Sequence, residues 1–187
     1  MTWQAKFGRM TAVLALAVTS LAAPVHAQVR NSGASTITLQ AVLTPSLTVV
    51  LSGNAVNFNL TAGSANNAGS TSITATTSWA VTNAIGLVSV YAFFANSAAA
   101  MTDGAGDGIP SADFQISDNA GAFNALTNTV PFGGANAGLR VSTTLILLTN
   151  MSGSHTDVMN FNINLSTLPN LPAGTYTGTL TLQAQAI

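Results

Sequence analysis

The residues in this sequence whose types could do chemistry are few. His155-Thr156-Asp157 sets an imidazole near a carboxylate, as nucleophilic triads do, but no nucleophile-elbow motif accompanies it. The stretch Asp103-Gly104-Ala105-Gly106-Asp107-Gly108-Ile109-Pro110 is the one polar loop suited to an ion, with Asp103, Asp107 and the downstream Asp113 as candidate oxygen donors to calcium. The fit is poor, because Ala105 takes the place of a middle ligand and Phe114 stands where an EF-hand has its bidentate glutamate. A surface turn in which Asp and Gly satisfy their own backbone accounts for the same residues. With no cysteine in the chain and one histidine beyond residue 27, a zinc-type ligand set is out of reach. A paired-carboxylate hydrolase would have to use aspartates alone, and the five present show no obvious pair. The expectation is a protein that is not an enzyme and has no cofactor.

The chain starts with Lys6 and Arg9, then the apolar run from Met10 to Val18, then Ala23-Pro24-Val25-His26-Ala27. A basic start, a short apolar centre and small residues at the end are the layout of a cleaved helical signal peptide, residues 1–27. The run is too short to be a membrane anchor, and no second long apolar run follows, so no membrane span is expected in the mature chain. Export through the periplasm to the cell surface or medium is the expected localisation.

Beyond residue 27 only Arg30 and Arg140 oppose Asp103, Asp107, Asp113, Asp118 and Asp157, a net charge of 2 − 5 = −3. Two cations cannot form the clustered basic surface that nucleic acid or an anionic membrane requires, so neither is an expected partner. Charged residues make up 5% of the chain, against a usual level of about 25%. Such a surface is built from Thr, Ser, Asn and Gln, or is covered by copies of the same chain, where a charge would cost desolvation. Without cysteine, an exported domain must draw its stability from core burial, which a 48% hydrophobic fraction makes available.

The elements that would carry these residues are strands. Residues 35–43 alternate until Pro45, and Leu47, Val49 and Leu51 resume the alternation. Further strands are expected at 56–60, 71–81, 87–95, 113–117, 122–126, 139–148 and 155–165, with polar turns at 61–70 and 96–110. The run from Leu87 is apolar almost throughout, as in a central strand covered on both faces. The last stretch follows a Pro/Gly turn and alternates strictly, with Tyr176, Gly178, Leu180, Leu182, Ala184 and Ala186 on one face. The sequence stops while that strand is still running, which leads us to expect a sheet edge that something else must pair. The expected core is Phe58, Ile73, Trp79, Val90, Phe161, Ile163, Tyr176, Leu180 and Leu182. The whole reads as an all-β antiparallel sandwich over 46–187, preceded by an extension over 28–45.

Two stretches add a resemblance. Leu171-Pro172-Ala173-Gly174-Thr175-Tyr176-Thr177-Gly178-Thr179-Leu180-Thr181-Leu182 resembles the final strand of chaperone-usher pilin subunits, above all the spore coat protein U-like branch. Val56-Asn57-Phe58, after an early apolar strand, is similar to the early strand and turn of that group. The resemblance implies an immunoglobulin-like sandwich that lacks its last strand and is completed by a neighbour's N-terminal extension. It also implies a periplasmic chaperone and an outer-membrane usher as partners, beside copies of the chain or related subunits. The disulfide usual in that family is impossible here.

Two functions follow as expectations. The first is a structural subunit of a surface filament or coat, in which Ile37, Leu39, Ala41 and Leu43 form the donor row and Tyr176, Leu180, Leu182 and Ala184 the acceptor edge. The row could instead be its own domain's first strand. The second is a monomeric carbohydrate- or surface-binding module using Tyr91, Phe94 or Trp79 as exposed rings.

Overall fold

The computed structural model describes residues 35–42, 44–82 and 86–187. The expected signal peptide, the lead to residue 34 and Leu43 lie outside the described residues. Contacts divide the chain into two units, Met1–Ala41 and Val42–Ile187. In the first, residues 35–41 carry no regular secondary structure, so the strand expected from their alternation does not form there. Ile37 and Leu39 are 85% and 89% exposed. Alternation supplies a face but not a ladder, and without a partner the backbone groups of an extended segment are left to water.

The second unit is all-β and its strand pairs are antiparallel. In chain order the strands are β1 (Ser46–Leu51), β2 (Asn67–Ala68), β3 (Ile73–Ala80), β4 (Gly86–Phe93), β5 (Met101–Thr102), β6 (Gly108–Ile109), β7 (Phe114–Asp118), β8 (Asn124–Ala125), β9 (Gly138–Ile146), β10 (Ser152–Ile163) and β11 (Thr181–Ala186). A single 3₁₀ turn, Ser111–Asp113, precedes β7, and no α-helix occurs among the described residues. None of their helices is therefore long and apolar enough to cross a membrane.

One sheet has the order β1-β3-β10-β7-β8, with β2 added to β10; the other is β11-β4-β9; β5 and β6 form a small hairpin. The two larger sheets share one core, since Ile73, Ile116, Met159 and Phe161 of the first lie in the same buried cluster as Ala92 and Phe94 from β4 and the residue after it. Two apolar faces meeting in this way form a sandwich-like pair of layers. Period-2 alternation explains the first sheet: Ile73, Ala75, Thr77 and Trp79 of β3 are buried while their neighbours reach solvent or partial exposure. The near-continuous apolar run becomes β4, which is paired on both sides and buried along most of its length. Its second face is covered in part by the ring of Phe132, 6.0 Å from Tyr91 and 5.9 Å from Phe93.

Two expectations change at the short elements. Residues 56–60 make only a bridge, Phe58 to Gly69, instead of a strand. The polar stretch 61–70 contains β2, held by side chains that act as backbone: Asn67 donates from Nδ2 to the Ile163 carbonyl at 2.8 Å, and its own N–H reaches Asn162 Oδ1 at 2.8 Å.

Candidate functional site: an open groove beside the last strand

On one side of the unit, β1 is the edge of the larger sheet and β11 the edge of the smaller, and the two strands lie near each other across the gap. β11 pairs β4 through one edge only. An edge strand of this kind presents a row of unpaired N–H and C=O groups. Nothing on β11 blunts them, because Thr181-Leu182-Gln183-Ala184-Gln185-Ala186 has no charge and no proline.

Next to that edge the core is open. A cavity of about 370 Å³ lies between the end of β1 with its following loop and the run into β11. Ile73, Phe94, Phe114 and Phe161 form its apolar floor, and Phe58, Tyr176, Leu180 and Leu182 line it as well. The rings of Phe58 and Phe94 meet Phe114 edge-on at 5.8 and 5.2 Å, so the floor is an aromatic surface already fixed by its own packing. A second cavity of about 290 Å³ lies at the far end of the same strands, among Pro45, Leu87, Ile146, Ala186 and Ile187.

Of the nine residues expected in the core, Ile73, Trp79, Val90, Phe161 and Ile163 are buried. Phe58, Tyr176, Leu180 and Leu182 are only partly buried against that core, and all four line the groove. Their alternation marks them for burial, and the chain's described residues do not finish the job. Of the acceptor-edge candidates, Leu182 and Ala184 lie on β11, Ala184 opposite Val90. Tyr176 and Leu180 precede the strand, in a segment whose Thr177 exchanges two 2.9 Å backbone bonds with Thr102 of β5. The floor residues Phe94 and Phe114 escape sequence reasoning as groove residues, since nothing local distinguishes a core ring from one at an opening.

Across the molecule β9 is the other edge of the smaller sheet, and it is tied to its surroundings at its start and through one side chain. Asn128 and Gly138 exchange backbone hydrogen bonds of 2.8 and 2.9 Å, joining the chain after β8 to the start of β9. Ser142 of β9 donates from Oγ to Asp157 Oδ2 at 2.8 Å, which ties β9 to β10 across the two sheets. Asp157 is fully buried, and its Oδ1 lies 3.0 Å from Nε2 of His155, whose side chain is 43% exposed. The sequence pair His155/Asp157 thus exists, but the hydroxyl donates to the carboxylate and not to the imidazole, so no nucleophile is set against a base. Nearby Asp118 has its carboxyl raised above the ordinary range, first by burial and then by the Asp157 charge, with His155 and Asn119 opposing.

The candidate calcium donors are engaged separately. Asp103 Oδ1 accepts the N–H groups of Ala105, Gly106 and Asp107 at 2.8, 3.2 and 3.1 Å, a turn satisfied by its own carboxylate. Asp113 is buried in the 3₁₀ turn and both its oxygens take the Thr167 hydroxyl, at 3.2 and 3.0 Å. Burial raises its carboxyl above the ordinary range and that hydroxyl works against the shift. Among the described residues no three His, Asp or Glu side chains come together as a metal site. The rings proposed for sugar stacking are not at the surface: Trp79, Tyr91 and Phe94 are all buried, and Trp79 donates from Nε1 to the Asn150 carbonyl at 3.0 Å. Their place in the core follows from the large apolar area each ring removes from water.

No protein-family model matches this chain, and no curated protein and no solved structure is similar to it.

Proposed function

We propose that the chain is an exported structural subunit of a bacterial surface filament or coat, assembled when one copy lends a strand to the open side of the next. The observation that carries this reading is the groove: four side chains patterned for burial stay half-covered beside an unpaired strand edge. A peptide strand added there completes both deficits at once, its backbone supplying ladder bonds and its alternate side chains filling the apolar floor.

The sheet orders support an immunoglobulin-like assignment. In that fold one sheet is A-B-E-D and the other has C beside F and F beside G. Here β1, β3, β10 and β7 take the first four places in order, β4 takes C, and β11 takes F. The place of G falls on the unpaired edge of β11. Tyr176 Oη donates to the Pro172 carbonyl at 2.9 Å shortly before β11, as the tyrosine corner does before strand F. β9 departs from the scheme, since it flanks β4 but follows β7 in the chain.

The lent strand is residues 35–43, with Ile37, Leu39, Ala41 and Leu43 at alternate positions. Insertion places strands about 4.8 Å apart, so β1 must give way. It is the element able to do so, being paired only with β3 and buried only partly. Head-to-tail lending does not close on itself, so it generates a filament. Export, a periplasmic chaperone that covers the groove before assembly and an outer-membrane usher belong to the same reading.

The test compares the exported protein with a form lacking residues 28–44. The full form should give ladders or filaments, and the short form a monomer whose melting temperature rises with added peptide 35–44, as mass action requires of a ligand that binds the native state. A full form that stays a stable monomer at high concentration, and unfolds when the segment is cut away, would show the strand serving its own domain.

A further inference from the structure

The end of the unit at which β1 begins carries apolar side chains that no described residue covers. Resting on the strand-lending reading, we propose that this end, through Leu145, Leu147, Leu148 and Ile187, docks against the body of the copy that accepts the strand.

Pro45, just before β1, lines the small cavity together with Leu87, Ile146, Ala186 and Ile187, so the start of β1, the end of β11 and the turn after β9 share one end. Ile187 and Leu87 exchange backbone hydrogen bonds of 3.0 and 2.7 Å, and Leu87 stands opposite Leu145 of β9. Directly opposite residues share a face, so these three make an apolar row across the smaller sheet. The row lies on the side away from the core, because the alternate residues Val88 and Ile146 are the ones buried. Leu147 and Leu148 follow in the turn between β9 and β10. All four docking residues are exposed, Leu148 by 79%. The stretches that meet at this end, 44–47, 79–82, 86–88, 145–152 and 186–187, contain no Asp, Glu, Lys, Arg or His. Exposed apolar side chains gathered without charges mark an interaction surface.

The turn is also held in one shape. Asn150 donates from Nδ2 to the Leu145 carbonyl at 2.9 Å and from its N–H to the Leu147 carbonyl at 3.1 Å. Its own carbonyl accepts Nε1–H of the buried Trp79 at 3.0 Å. Leu147 and Leu148 therefore stand on a backbone anchored to the core, and covering them costs little further ordering.

Chain length names the occupant. The last described residue of the donor row, Ala41, lies five residues before Ser46, at most about 18 Å of fully extended chain. A copy whose groove holds Ala41 is tethered within that distance of the start of β1, and so against this end.

Leu148→Asp, and separately Leu145→Thr combined with Leu148→Thr, should melt as wild type does, since these side chains are exposed. In the form lacking residues 28–44, both should gain the parent's rise in melting temperature from peptide 35–44, because the groove is untouched. In the exported chain both should raise the subunit concentration needed for filaments by about tenfold. A polarity-sensitive dye on Thr149→Cys, in a chain with no cysteine of its own, should shift to the blue as filaments form and ignore phosphatidylcholine vesicles. Filaments at the wild-type concentration from both variants, or a dye indifferent to assembly, overturns the contact while leaving strand lending intact. A dye that answers vesicles and not assembly overturns it in favour of a lipid surface. Loss of stability in both variants makes the leucines part of the subunit's own packing and overturns it too. A short form that ignores the peptide, or a wild-type chain that does not assemble, sinks strand lending and the contact with it.

Discussion

The two sides of the all-β unit solve the same problem differently. Where β9 meets β10 and the chain after β8, the sheets are joined by directional bonds: the Asn128/Gly138 exchange and the Ser142 to Asp157 bond. Where β1 meets β11, apolar side chains face a cavity and β11's outer edge pairs with nothing described. A hydrogen-bonded seam is satisfied by its own groups and has nothing to gain from a partner. An apolar seam gains from any complementary surface in rough proportion to the area covered, about 25 cal/mol per Å². On the proposed reading, contact with other chains belongs to the side that lacks polar closure, while the buried Asp157 and its partner His155 lie on the other.

The largest expected effects come from the floor that both sides share. Phe161→Ala should cost about 3 to 5 kcal/mol and abolish folding or export, because Phe161 is buried and its ring lies 6.0 Å from that of Phe114. Phe58→Ala, half-covered at the groove, should cost the isolated subunit clearly less yet weaken assembly more. Chemical denaturation and sedimentation of the two variants check this. Equal stability losses for Phe58 and Phe161 would mean that the groove is ordinary core. Leu39→Asp sharpens the point: with Leu39 89% exposed, the unit should fold unchanged and fail to form filaments.

The polar seam should behave in the opposite way. Ser142→Ala leaves Asp157 without one of its two contacts, and a buried carboxylate deprived of a hydrogen bond costs about 1 to 3 kcal/mol. Stability should fall by that order while the assembly rate per folded subunit stays at the wild-type value. A variant that folds as well as wild type, or polymerises abnormally, would break the assignment of the seam to structure alone.

How far the sequence carried these conclusions differs between the sides in the same sense. β3, β4 and β10 were legible because each buries alternate or successive apolar residues, and β9 and β11 because of their apolar patterning, although β11 buries no residue fully. Phe58, Tyr176, Leu180 and Leu182 were legible as apolar but not as half-covered, because periodicity reports which face turns inward and not whether anything lies above it. The Ser142 to Asp157 bond joins strands in different sheets and leaves no local mark. β2 was hidden for a related reason, since its two residues are fixed by the amides of Asn67 and Asn162 and not by apolar spacing. Residues 35–42 carry a strand pattern that joins no ladder among the described residues, because alternation names a face and not the chain that pairs it.

The smallest predicted effect tests whether the polar side is at rest at neutral pH. Asp118 stands near Asp157, has its carboxyl raised by burial and by that neighbouring charge, and has no hydrogen-bond partner for Oδ1. A carboxyl whose folded pKa lies above its unfolded value binds its proton more tightly in the folded state, so its ionisation works against folding. The penalty is complete above the raised folded value, shrinks as pH falls through it, and is absent below the unfolded value near 3.9. Asp118→Asn should therefore melt slightly higher than wild type at pH 7, by about a degree or two, and the difference should vanish on approach to pH 4. Because Asp118 is only partly buried, solvent screening holds the effect to this size. Melting curves of both proteins between pH 4 and 7.5 provide the check. A variant that melts lower than wild type at pH 7 would show that ionised Asp118 supports the His155/Asp157 side, which would make that seam dependent on its charges as well as on its hydrogen bonds.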